Sequence, residues 1–292
     1  MRRFFKTGAV LFFGVLANIA PVSAQILGTS ARQLPKGSLK LLTYYQGTQG
    51  QNLNFNVAAP AQCTTANGLA YPCGQAGDVA VKGSGGMGVM KLVYQPWESF
   101  QYYAAFGVGE YSISVPSVTA NNKLTGDNPG FMGTIGLRSV ILADTQFSPA
   151  VAVDGSISWT RYTFNRIFPE NGAPGVSSSI NQRLFMAQYQ VAVEASHLFT
   201  ISDAPKIDKE HDSMLPVVPE GFKVEPYGGV KWVLIQSDLH DYTNGTHAGG
   251  QQNTVTPFLG LRIPIYENEG LFAETTFVDG YQYAGGLEVR FK

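Results

Sequence analysis

Residues 281–292 read YQYAGGLEVRFK, and every second residue from Tyr281 to Phe291 (Tyr281, Tyr283, Gly285, Leu287, Val289, Phe291) is aromatic, aliphatic or glycine. Between them stand Gln282, Ala284, Gly286, Glu288 and Arg290, which are polar or small. A period of two sends the two sets to opposite faces of one strand. Such a strand suits a soluble sandwich, with water on its charged face, or a membrane wall, with lipid on its apolar face. The destination of the chain separates the two readings.

Residues 1–24 supply that destination. A basic stretch (Arg2, Arg3, Lys6) precedes an apolar run and a small-x-small site at Val22-Ser23-Ala24, the pattern of a secretory signal peptide cut after Ala24. The run is too short for a stable spanning helix, which needs about 20 apolar residues. Removal of 1–24 leaves a periplasmic lead-in, 25–36, and a single domain, 37–292. The composition is unusual for a soluble protein: 33 Gly, 14 Tyr and 18 Phe accompany only 14% charged residues. There is little charge for solubility and much aromatic surface to place. A formal net charge of −1 argues against a nucleic-acid partner. Cys63 and Cys73 are expected to form a loop-stapling disulfide in an oxidising compartment. They make a poor zinc site without neighbouring histidines, and no cofactor or metal is expected.

Alternation recurs along the mature chain in segments near the roughly 9–11 residues with which a tilted strand crosses a bilayer. In 184–195 the face of Phe185, Ala187, Tyr189, Val191, Val193 and Ala195 opposes Gln188, Gln190 and Glu194. Val151, Val153, Ile157 and Trp159 oppose Asp154, and Val230, Trp232 and Leu234 oppose Glu225 and Lys231. Ten strands are predicted, at 37–46, 79–94, 100–113, 131–142, 149–163, 182–197, 222–237, 253–266, 271–278 and 281–291, with eight or twelve as the alternatives. The fold class is thus all-β, a single antiparallel up-and-down transmembrane barrel; only a closed barrel can place strands in lipid without unpaired backbone groups. Lys82 and Lys91 cannot share one face of an unbroken pleat, and the intervening GSGGMG (83–88) is expected to carry a β-bulge. Aromatics near strand ends (Tyr44, Tyr45, Tyr94, Trp97, Phe100, Tyr102, Trp159, Tyr162, Phe164, Tyr242, Tyr266) are expected to form interfacial girdles.

The polar faces carry Lys40, Lys91, Arg138, Asp154, Gln188, Gln190, Glu194, Glu225, Lys231, Arg262, Glu274, Glu288 and Arg290. These groups are assigned to the lumen, and their balanced signs point to paired side chains that fill it rather than to an ion-selective path.

With these features the chain resembles the bacterial outer-membrane β-barrel proteins of the small OmpA-like or OmpW-like class. The resemblance implies residence in the outer membrane of a diderm bacterium, contact with its lipid, and recognition by the barrel-assembly machinery through the closing strand. Tyr281, Tyr283, Leu287, Val289 and Phe291 match that strand's pattern, although Lys292 follows the Phe on which such chains usually stop. The role expected is envelope-structural or surface-exposed and non-enzymatic, with a narrow porin-like channel as the alternative. The segment 198–221 is read as a solvated connector. A second alternative comes from SDLHDYTNGTH (237–247). Asp238-x-His240 at an outer loop looks like half of the site of the omptin outer-membrane proteases, where an Asp/His pair activates water. That family sets a second carboxylate pair in the second outer loop, where this chain offers only Asp127.

Overall fold

The computed structural model describes residues 26–28, 30–57, 62–64, 70–72, 77–115, 122–169, 178–202, 222–243, 245–276 and 280–291. Ten strands form a closed antiparallel ring. In chain order its members are β1 (Leu39–Val57), β4 (Gly77–Tyr94), β5 (Phe100–Val115), β7 (Gly130–Leu142), β8 (Ala150–Pro169), β9 (Ser178–Ser196), β11 (Phe222–Asp241), β12 (Thr246–Pro264), β13 (Glu269–Thr276) and β14 (Tyr281–Phe291). Each pairs with the next member, and β14 closes on β1 through Leu39↔Phe291 to Gln49↔Tyr281. Among the described residues four shorter strands lie off the ring. They are the β2 (Gln62–Thr64) and β3 (Ala70–Pro72) hairpin, β6 (Asn122–Thr125) between β5 and β8, and β10 (Phe199–Ser202) beside β11. Closure leaves no free edge along the ring, which meets the demand that lipid makes on backbone groups.

The alternation of burial shows which way the faces point. On β14, Ala284 and Glu288 are buried while Tyr281, Leu287 and Phe291 are about half exposed. The same phase holds on β9, where Gln190 and Glu194 are buried and Phe185, Tyr189, Val191 and Val193 are exposed. The barrel therefore turns its apolar face outward and its charges inward on these strands, as a lipid-facing wall does.

Three sequence expectations change. The strands are longer, up to 20 residues in β8 and β11, so the segments expected as loops at 47–57 and 246–252 are wall. The bulge is on β1, not on β4: the register shifts between Thr48 and Gln51 opposite Gly85 and Gly83. Gly50 adopts φ 66° there, and its N–H donates to Ser84 Oγ at 3.0 Å. The extra residue inverts the parity of β1, so Leu42 and Tyr44 point inward below it and Leu53 and Phe55 above it. Because β4 keeps one phase, Lys91 faces in and Lys82 out. The glycines of 83–88 serve another purpose. A Cβ on Gly83 or Gly86 would stand 1.8 Å from the Tyr111 or Tyr45 hydroxyl, so each glycine is the slot in which a neighbouring ring lies. Finally, Tyr44, Tyr162 and Phe164, expected in girdles, are buried in the lumen. The other aromatics expected in girdles are exposed, Tyr94, Trp97, Phe100, Tyr102 and Tyr266 towards the end holding the chain termini, and Tyr45, Trp159 and Tyr242 towards the other.

Candidate functional site

The lumen at the terminal end is built from charges that strand parity turns inward. Among the described residues, five cations (Lys40, Lys91, Arg138, Lys231, Arg262) and five anions (Asp154, Glu194, Glu225, Glu274, Glu288) meet there. Lys40 Nζ donates to Glu288 at 2.8 Å. Arg262 joins Glu288 to Glu225, the latter at 2.8 Å, and Ser196 Oγ donates to Glu225 at 3.1 Å. Arg138 lies between Asp154 (3.3 Å) and Glu194 (2.7 Å), and the Tyr103 hydroxyl donates to Asp154 at 2.6 Å. Lys231 and Glu274 form a separate pair at 2.5 Å, both fully buried. Isolated charges in such a place would be costly; here each faces an opposite charge or a backbone group.

Of the lead-in expected over 25–36, residues 26–28 and 30–34 enter this lumen. The N–H groups of Leu27 and Gly28 donate to Glu274 at 3.0 and 2.7 Å. The Leu27 carbonyl accepts from Lys91 Nζ at 2.8 Å, and the Ser30 carbonyl from Arg138 at 2.5 Å. The Leu34 N–H donates to Gln95 at 2.8 Å, and Gln33 donates to the Glu98 carbonyl. Apolar contacts complete the insertion: Ile26 packs in the cluster of Leu42, Tyr44 and Phe272, Leu27 with Tyr227 and Phe258, and Ala31 with Val140, Ala150 and Ala152. Gly28 needs its φ of 63°, and a Cβ there would stand 3.2 Å from Phe272. Carbonyls and N–H groups of an irregular segment are thus satisfied by side chains of the wall. Lys91 also lies 3.6 Å from the centre of the Tyr103 ring.

Beyond these layers a cavity of about 60 Å³ is lined by Gln46, Thr48, Gln188, Gln282 and three methionines, Met87, Met132 and Met186. That is room for a few waters. Gln190 is buried nearby and accepts from Gln188 at 3.5 Å. Towards the far end Leu53, Phe55, Val81, Ile113, Phe164 and Leu184 pack into an apolar core. The lumen is thus ionic at one end and apolar at the other, rather than polar throughout.

The remaining candidates lie elsewhere. Arg290 donates to Asn268 and the Glu267 carbonyl, binding β14 to the turn between β12 and β13. Asp238 and His240 form a 2.8 Å contact on the outward face of β11, about 40–50% exposed. His247 stacks on His240 at 5.7 Å. Asp127 is bound to Arg166 at 2.8 Å and to Asn165, so its carboxylate is committed to neighbours on its own side. Among the described residues no group of three metal-ligating side chains occurs. Cys73, Lys292 and residues 1–25 lie outside the described residues, and with them the expected disulfide to Cys63 and the signal peptide.

Sequence reasoning missed the inserted segment, Gln95 that accepts from it, and Tyr103 that binds Asp154 beside Lys91. ILGTSARQL (26–34) has no alternation and only a single charge, Arg32, to mark it. The one available signal was Lys91 itself, an inward cation on a strand with no acid opposite.

No protein-family model and no curated protein matches the chain. Among solved structures it is similar to the translocator domain of the autotransporter NalP from Neisseria meningitidis, at 13% identity over 89% of each chain and a TM-score of 0.44. It is similar also to the outer membrane protease OmpT from Escherichia coli, at 9% identity over 90% of this chain and 100% of that one, with a TM-score of 0.45. The outer membrane protein OprG from Pseudomonas aeruginosa matches at 9% identity over 90% and 99%, with a TM-score of 0.36. The likeness is one of barrel fold, without an OmpA-like or OmpW-like subfamily assignment.

Proposed function

We propose that this protein is a non-enzymatic β-barrel of a diderm outer membrane, with an envelope-structural or surface role and an occluded lumen. Export by the signal peptide at 1–24, insertion by the barrel-assembly machinery through Tyr281–Phe291 and a Cys63–Cys73 disulfide belong to the same reading. The observation that carries it is the fate of the ten lumenal charges. They cancel, and they engage one another or the backbone of Leu27, Gly28 and Ser30. An ion-conducting path needs charges that face water and a continuous opening. The omptin-like reading is weakened because Asp127 is paired with Arg166 and the Asp238–His240 pair lies on the outer wall.

Planar-bilayer recording of the purified chain tests occlusion. No reproducible unitary conductance is expected. Steady single-channel steps in the protein with residues 25–292 intact would overturn the reading in favour of the narrow channel.

A further inference from the structure

We propose that the outward face of β8, β9 and β11 holds a phosphorylated lipid of the outer leaflet, with Arg161 and Arg183 as the phosphate ligands. The inference rests on the outer-membrane reading above and names a partner for one wall of the barrel.

The strand register places the two cations. On β8 the outward face runs through Ile157 and Trp159, both about half exposed, and then meets Arg161. On β9 it runs through Tyr189 and Phe185 and then meets Arg183. Arg161 pairs in register with Phe185, Arg183 with His240, and His240 with His247. The cations thus stand where the apolar belt ends, the depth at which a lipid carries its phosphate. A cation costs little near the interface and much at the bilayer midplane.

The side chains are held but not neutralised. The Arg161 guanidinium lies 5.4 Å from the centre of the Phe185 ring, and that of Arg183 lies 4.6 Å from the Tyr242 ring. Such stacking orients a guanidinium while leaving its N–H fork free. Among the described residues neither forms a carboxylate ion pair, and Arg183 Nε has no acceptor. The acid on this face, Asp238, is hydrogen-bonded to His240. The rim differs elsewhere: Arg166 is paired with Asp127, and exposed Glu110 faces out from β5. Two unpaired guanidinium forks one level apart on neighbouring strands match the oxygens of a phosphate monoester, which Arg binds bidentately.

Native mass spectrometry of the full-length protein in detergent tests this, with two probes: bis-phosphorylated lipid A and the same lipid with its phosphates removed. Retention of the phosphorylated probe is expected to exceed that of the other by about tenfold, from two interfacial arginines. The preference should vanish in Arg161→Gln/Arg183→Gln and persist in Lys82→Gln, a cation on another wall. Equal retention of the two probes by the natural protein, or an undiminished preference in the double variant, would overturn the proposal. So would displacement of the lipid by inorganic phosphate at equal concentration, which would mark a site for a free anion. Gel mobility with and without boiling reports folding. If the glutamine variant fails to fold, the comparison of probes on the natural protein and an Arg161→Lys/Arg183→Lys variant, expected to lose part of the preference, decides. A natural protein that forms no heat-modifiable barrel overturns the outer-membrane reading; one that does and shows no preference overturns this site alone.

Discussion

Arg138 shows how the lumen is held at the level of single residues. Its guanidinium, 1% exposed, faces Asp154, Glu194 and the Ser30 carbonyl. Its removal strands two buried carboxylates, so Arg138→Ala is expected to lose about 3–5 kcal/mol of stability in urea titrations of the detergent-folded protein. Replacing the triad together, Arg138→Met/Asp154→Leu/Glu194→Met, should recover most of that loss, because a matched apolar set has no charge to desolvate. A triple variant as damaging as the single one would contradict the pairing. The sequence shows this cluster only in part. Parity tells which side chains point inward, and all ten lumenal charges were legible in that way. Partners are set by relative strand heights that alternation does not encode, so the link from Arg138 to Glu194 on β9 and to Ser30 was not legible.

Two elements depend on features smaller than themselves. The outer half of β1 faces correctly only because Gly50 adds one residue to the strand. Deletion of Gly50 is expected to turn Leu53 and Phe55 outward and Asn52, Asn54 and Asn56 inward, since a one-residue slip moves every side chain to the other face. Loss of folding yield, read as the fraction that migrates as heat-modifiable barrel, is the expected result. This same inversion hid the extension of β1 in the sequence: NLNFNV (52–57) alternates cleanly, but out of phase with LKLLTYY (39–45). The inserted segment is the second case. Leu27 is 1% exposed beneath Glu274 and Lys91, so a cysteine there is expected to resist a water-soluble maleimide, whereas one at Phe147, 92% exposed, should label at once. Rapid labelling at both positions would show that residues 26–34 do not reside in the lumen.

The whole molecule is governed by a closed ring whose wettable side is inside. Strand count and ring closure were legible because lipid demands segments of similar length and a period of two in each. Strand ends were less legible, since β1, β8, β11 and β12 continue with polar residues on the outward face past the belt that lipid would cover. The short β13 and β14 stop earlier, and above them β1 meets β12 directly at Asn56↔Gly249. The central claim is that the apolar face looks outward. Site-directed spin labelling along β14, in a background with Cys63 and Cys73 replaced and the protein in lipid vesicles, reads this residue by residue. Labels at Gly285, Leu287 and Val289 should collide freely with dissolved oxygen, and labels at Ala284, Gly286 and Glu288 should not. The opposite phase, with the apolar positions shielded and the polar ones open to an aqueous collider, would contradict the account.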